Sequence, residues 1–179
     1  MKYFKKIPGE RVYLSPYSPE DIELYTKWMN DSAVTDGLGD TNVQFNLINE
    51  KEWIDDILKK AEPAFAIVSA ETDKAIGGIG LFEIKPVHRS ASVGILIGDY
   101  ENRGKGFGTE AMKLIVGYGF DVLNLRNIML RVYDFNEIAY KSYLKVGFKE
   151  MGRQRGAHYL NNKYHDIIHM DITREDWYR

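Results

Sequence analysis

Apolar residues change their period several times along the chain, and each change marks an element. Residues 11–15 alternate briefly and read as a short strand. Residues 19–30 carry Ile22, Leu24, Tyr25 and Trp28 at helical spacing. Ser18 is positioned to cap that helix, and Pro19 suits its first turn, where no backbone N–H is needed. Residues 31–47 contain Gly37, Gly39 and Asp40 and read as an irregular loop. A second helix is predicted from Asn49, where Asn49 and Glu52 have capping-box spacing and Trp53, Ile54, Ile57 and Leu58 follow. From Ala64 the pattern becomes that of strands. Residues 65–70, 75–85 and 91–98 form a predicted antiparallel meander with turns at 71–74 and 86–90. Residues 107–123 make the strongest helix, with Phe107, Ala111, Leu114, Ile115, Tyr118 and Val122 on one face. A strand at 127–133, a helix at 136–145, a strand at 148–155 and a hairpin about Asn161 and Asn162 running to Ile172 complete the chain. This order argues for one α/β domain with a mixed sheet.

Composition narrows the chemistry. The chain has 179 residues, 44% hydrophobic and 28% charged, enough for a soluble core without covalent staples. Its formal charge of −2 gives no reason to expect nucleic acid or a membrane surface as partner. A polyanionic ligand must therefore meet a local cationic pocket. The absence of cysteine excludes disulfides, thiol nucleophiles and cysteine-bound zinc, and it fits a reducing cytoplasm. No apolar run approaches the ~20 residues of a membrane-spanning helix, and residues 1–10 lack the apolar core of a signal peptide. The expectation is a cytoplasmic protein, with no repeat or low-complexity linker to divide it.

The most informative segment is Arg103-Gly104-Lys105-Gly106-Phe107-Gly108-Thr109, which follows a predicted strand and opens the strongest helix. Glycines at alternate positions let the backbone turn tightly with its N–H groups exposed, and the helix N-terminus adds unpaired N–H groups and a positive dipole end. Arg103 and Lys105 add charge. Together these residues predict an anion site suited to a diphosphate. A P-loop pattern is absent, and a dinucleotide fingerprint would need glycine where Thr109 stands. A glycine-rich turn that merely feeds a helix accounts for the same residues.

The segment resembles the pyrophosphate signature [QR]-x-x-G-x-[GA] of the GNAT superfamily of N-acetyltransferases, through Arg103, Gly106 and Gly108. Downstream, Asn136, Ala139, Tyr143, Gly147 and Phe148 resemble that family's second signature, N-x-x-A-x-x-x-Y-x-x-x-G-F. The resemblance runs from about Arg11 to the C-terminus and is nearest to the RimJ/RimL-like branch, which includes spermidine acetyltransferases. It implies a single-domain α/β fold with a mixed, mostly antiparallel sheet, about four flanking helices and splayed strands at a CoA cleft. It also implies acetyl-CoA as co-substrate without a metal. The acceptor would be a small-molecule amine or a protein N-terminus, and a homodimer is left open.

The resemblance assigns roles to particular residues. Leu96 and Ile97 would offer backbone groups to the pantetheine arm. The amides of Arg103, Gly104, Lys105, Gly106, Phe107, Gly108 and Thr109 would take the pyrophosphate. Asn136 caps the next helix and would also touch pantetheine. Lys141 and Lys145, one turn apart, either meet the nucleotide phosphates or form a solvated face. Tyr143 is the expected general acid, since a phenol with an ordinary pKa of about 10 suits protonation of a leaving thiolate. Many relatives carry a glutamate two residues before a strand glycine, where this chain has Ser92 before Gly94. Glu83 on the neighbouring strand is then the expected base, through a water, with Asp36 and His88 behind it; Glu83 also reads as a plain surface carboxylate. His158 and His165 fall opposite each other in the final hairpin, and the default reading is a paired-strand contact. Asp31, Asp36 and Asp40 give the acceptor-side loop an acidic character. Two other readings stay open: a CoA-binding module without turnover, and a nucleotide-binding protein using the same cradle for another diphosphate.

Overall fold

A computed structural model describes residues 2–179. Seven strands form one sheet: β1 (Val12–Ser15), β2 (Ala64–Ser69), β3 (Ala75–Lys85), β4 (Ser90–Ile97), β5 (Asn127–Tyr133), β6 (Lys149–Leu160) and β7 (Lys163–Thr173). Their order is β1-β2-β3-β4-β5-β7-β6. Every neighbouring pair is antiparallel except β4 and β5. That one parallel step requires a crossover, which is α4 (Phe107–Asp121). The other helices are α1 (Ile22–Met29), α2 (Ser32–Thr35), α3 (Leu47–Lys60), α5 (Glu137–Val146) and α6 (Arg174–Trp177).

Helices cover both faces of the sheet, and the strand sequences show it. Val12, Leu14 and Ile67 join the core beneath α4, while Tyr13, Ala66 and Val68 join the one beneath α1 and α3. Both sets of alternate side chains are buried, so β2 reads as a continuous apolar run rather than an alternating one. Among the described residues, no helix is long and apolar enough to cross a membrane.

Three local differences from the sequence reading have clear causes. The capping box of α3 is Asn46 with Asn49, three residues earlier than predicted: Asn46 Oδ1 accepts from the N–H groups of Ile48 and Asn49 (2.9 and 3.1 Å), and Asn49 Oδ1 accepts from the Asn46 N–H (2.8 Å). The asparagine pair supplies the reciprocal bonds that Glu52 was expected to make. The segment read as loop contains the single-turn helix α2, which Asp31 caps by accepting from the Ala33 N–H (2.9 Å). Helix α6 is another single turn, capped by Thr173. Both are too short for an apolar period to register.

Candidate active site

The sheet opens at β4. Only Ser90, Ala91 and Ser92 pair with β5, opposite Asn127, Ile128 and Met129. Beyond Ser92, β4 remains paired with β3 as far as Ile97, while β5 continues along β7. The β5-facing backbone groups of 93–97 are thus left without a strand partner, beside a cleft of about 860 Å³. Ile95, Leu96 and Ile97 line one wall of this cleft, and Asn136 with Ala139, Ser142 and Tyr143 of α5 lines another.

The end of the cleft is the glycine segment. Gly104 (φ 71°) and Gly106 (φ 88°) both take the left-handed conformation that only glycine adopts without strain. Gly106 is the N-cap of α4 and brings no capping side chain, so the first-turn N–H groups are free to meet an anion. Gly104, Gly106, Gly108 and Thr109 line the cleft. The charged side chains behave differently. Arg103 reaches the cleft but donates to three carbonyls: Ile97 O (3.1 Å), Gly98 O (3.1 Å) and Ala33 O (2.6 Å). It ties the cradle to the end of β4 and to α2. The Lys105 and Phe107 side chains are absent from the lining. The Lys105 carbonyl accepts from Arg11 (2.8 Å), and the Phe107 ring lies under the Arg11 guanidinium at 4.5 Å.

Helix α5 supplies the remaining donor-side groups. Asn136 Oδ1 accepts from the Ala139 N–H (3.2 Å), which is the expected cap. Lys141 pairs with Glu137 (2.8 Å), and both Lys141 and Lys145 line the cleft. Thr109 and Ser142 share a hydrogen bond of 2.7 Å across the α4–α5 contact. Ser142 escaped the sequence reading because nothing but its neighbour Tyr143 distinguishes it. Tyr143 is partly exposed to the cleft, and burial of its hydroxyl pushes its pKa up to about 12.

A second cavity of about 450 Å³ lies on the α1–α3 side of the sheet and shares Leu38, Ile95 and Leu96 with the first. Its floor is formed by Gly78, Gly80 and Gly94, where the sheet backbone is bare. The glycines let neighbouring rings close onto the strand: a Cβ on Gly80 would lie 2.7 Å from Phe82 Cζ. Tyr17, Tyr25, Phe45 and Trp53 wall it, and Asp40 and Glu50 are its acidic residues. Burial raises the pKa of both carboxyls above the ordinary range. Sequence reasoning missed Glu50, although it shares the buried face of α3 with Ile54 and Ile57 at positions four and seven residues on. A carboxylate on an apolar helix stripe was the available signal.

Residues 11–149 match the family described as Acetyltransferase (GNAT) domain. The chain belongs to the GNAT acetyltransferase family. As a member it is an acetyl-CoA-dependent N-acetyltransferase, with an amine as acceptor. Among its relatives is the SPbeta prophage-derived uncharacterized N-acetyltransferase YokL of Bacillus subtilis (strain 168), 27% identical over 94% of this chain and 93% of that protein. The spermidine N(1)-acetyltransferase of Escherichia coli (strain K12) is 39% identical over 111 residues, covering 62% of this chain and 59% of that enzyme. The fold matches a spermidine N-acetyltransferase from Vibrio cholerae, solved in complex with CoA and spermine, with a TM-score of 0.86 at 26% identity over 96% of this chain and 100% of that one.

In this GNAT chain the expected base lies apart from both cavities. Glu83 is exposed, lines neither cavity, and accepts a hydrogen bond from Ser92 (2.8 Å). A register shift between Phe82 and Lys85, with Glu83 at φ 50°, disturbs this end of β3, and alternation alone could not foresee it. His88 is likewise exposed and outside both cavities. The three loop aspartates divide: Asp31 caps α2, Asp36 lines the first cleft and accepts from Thr41 (2.7 Å), and Asp40 lines the second cavity. His158 and His165 face each other in register. His165 pairs with Asp134 (2.8 Å), while the His158 ring packs at 4.1 Å from Tyr133.

Proposed function

We propose that the protein acetylates a small polyamine, with the acetyl donor in the β4–β5 cleft and the acceptor in the second cavity. One observation carries this reading: the two cavities meet at Leu38, Ile95 and Leu96, at the strand whose backbone is free where β5 departs. Bound acetyl-CoA supplies an activated thioester there. The amides of 104–109 hold its pyrophosphate at the N-terminus of α4. The free backbone of Leu96 and Ile97 holds the pantetheine amides, as a further strand would.

Tyr143 acts as proton donor. When the amine nitrogen bonds to the acyl carbon and the carbon–sulfur bond breaks, its hydroxyl protonates the departing sulfur. A raised pKa keeps that proton in place until the thiolate forms. Asp36 is the carboxylate of the first cleft, and we assign it to accept the proton lost by the amine, directly or through water. The polyamine class is supported by the spermidine acetyltransferases among the relatives and by the aromatic and acidic lining of the second cavity.

The test is initial-rate kinetics with acetyl-CoA and spermidine varied together. Direct attack within a ternary complex predicts double-reciprocal lines that intersect. Parallel lines would mean an acetylated enzyme intermediate and would contradict the scheme.

A further inference from the structure

We infer that Glu50 anchors the acceptor: it binds a positive charge of the amine substrate remote from the nitrogen that is acetylated, and so selects diamines and polyamines over monoamines. This rests on the acetyl-transfer reading above and adds to it the residue that chooses the acceptor.

Glu50 is 5% exposed, and among the described residues no hydrogen bond or ion pair reaches its carboxylate. The contrast with Asp21 is informative. Asp21 is 3% exposed and fully engaged, accepting from Lys2 (2.5 Å) and Tyr3 (2.7 Å). The fold thus pairs an acid that it buries for structure. An unpaired buried carboxylate opposes folding, because it either loses hydration or must hold a proton. Glu50 has no such partner, and its carboxylate oxygens, which are not sealed from solvent, open onto the cavity.

The surroundings name the ligand chemistry. Tyr17, Tyr25 and Trp53 are locked against one another or their neighbours by edge-to-face contacts, with Tyr17–Tyr25 centroids 5.1 Å apart and Tyr17–Trp53 centroids 5.4 Å apart. Rigid aromatic walls favour both a cation and the methylene chain that carries it. With no side chain at Gly78, the Tyr17 hydroxyl lies directly against β3 as part of that wall. Asp40 adds a second acid on the same cavity, so an acceptor bearing a carboxylate would be repelled.

Placement then assigns the charge to the nitrogen that does not react. The attacked acyl carbon needs a neutral amine, and a carboxylate held against that nitrogen would favour its ammonium form. Glu50 lines the second cavity but not the first. It can therefore keep one nitrogen protonated while another is free to react at the Leu96 junction. A monoamine cannot satisfy both positions.

Calorimetry with CoA-saturated protein tests this, using 1,4-diaminobutane and butylamine as probes of equal carbon length. The wild type should bind the diamine on the order of tenfold or more tightly than butylamine, the scale of one charge-assisted bond. Glu50→Gln should abolish most of that preference, and Glu50→Asp should restore part of it. CoA affinity measured on each variant reports whether it is folded. Equal affinity of the wild type for both probes, binding of neither, or a preference that survives Glu50→Gln overturns the assignment. Acetyl-CoA turnover with the diamine is read separately. Selective binding without turnover leaves the anchor standing and removes the acetyl-transfer reading, whereas turnover without discrimination does the reverse.

Discussion

Replacing Arg103 with lysine keeps the charge of the cradle and removes its fork. The guanidinium donates to carbonyls of β4 and the following residue on one side and of α2 on the other, through three separate nitrogens. A lysine has a single nitrogen and cannot span them. Hydrogen bonds from a charged group contribute about 1.5–3 kcal/mol when desolvated and less near water, so two part-buried bonds and one exposed one amount to roughly 2–3 kcal/mol. For a domain of this size that corresponds to a fall in Tm of roughly 4–12 °C. Differential scanning calorimetry of the ligand-free protein should find such a fall in Arg103→Ala, with Arg103→Lys recovering less than half of it. A CoA titration on the same samples separates the competing role. If Arg103→Ala melts like the wild type, binds CoA much more weakly, and is rescued by lysine, then the side chain is a phosphate ligand and the positioning argument is wrong.

Other consequences are equally accessible. Tyr143→Phe should lower kcat by roughly 10²–10⁴-fold while leaving CoA affinity intact. Because burial raises the Tyr143 hydroxyl to about 12, the protonated form persists through the alkaline range, and kcat should show no loss assignable to this tyrosine until the pH nears that value. A decline centred near the ordinary phenol value would show the hydroxyl to be solvated. Gly80→Val collides with Phe82, a lining residue of the second cavity, and by displacing that ring should raise KM for the amine far more than KM for acetyl-CoA in steady-state assays. Glu50→Gln should raise the Tm of the ligand-free protein at neutral pH. The folded-state pKa of Glu50 lies above its unfolded value, so the native protein loses stability as pH rises through that interval. Below the ordinary carboxylate range the difference should vanish, and a variant less stable than wild type at neutral pH would contradict the unpaired-carboxylate argument.

What the sequence made legible is what depends on neighbours along the chain. The glycine segment and the helix it opens are local, and so is the Asn136–Ala139 cap, which brings Tyr143 onto the cleft-facing side of α5. The mixed character of the sheet followed from the order of strands and helices. Contacts that depend on distant partners were not legible. The Arg103 charge looks available beside Lys105, yet its partners lie 5, 6 and 70 residues away. Glu83 looked close to the chemistry because β3 adjoins β4, but it lies outside both cavities, at the end of β3 where the register shifts. The second cavity is assembled from α1, α3, β3 and β4 together with the 38–45 loop, and no single segment announces it. Its traces were the run Gly77-Gly78-Ile79-Gly80 in a buried strand and Glu50 on an apolar helix face.

The central claim is that the two cavities meeting at Leu96 carry out acetyl transfer between them. Mass spectrometry of reactions containing the protein, acetyl-CoA and a panel of polyamines, amino sugars, amino acids and N-terminal peptides tests it most directly. The account predicts acetylated polyamine with CoA released in equal amount, and little product from acceptors that carry a carboxylate. CoA binding with no acetylated amine anywhere in the panel would contradict it and leave the protein a CoA-binding module.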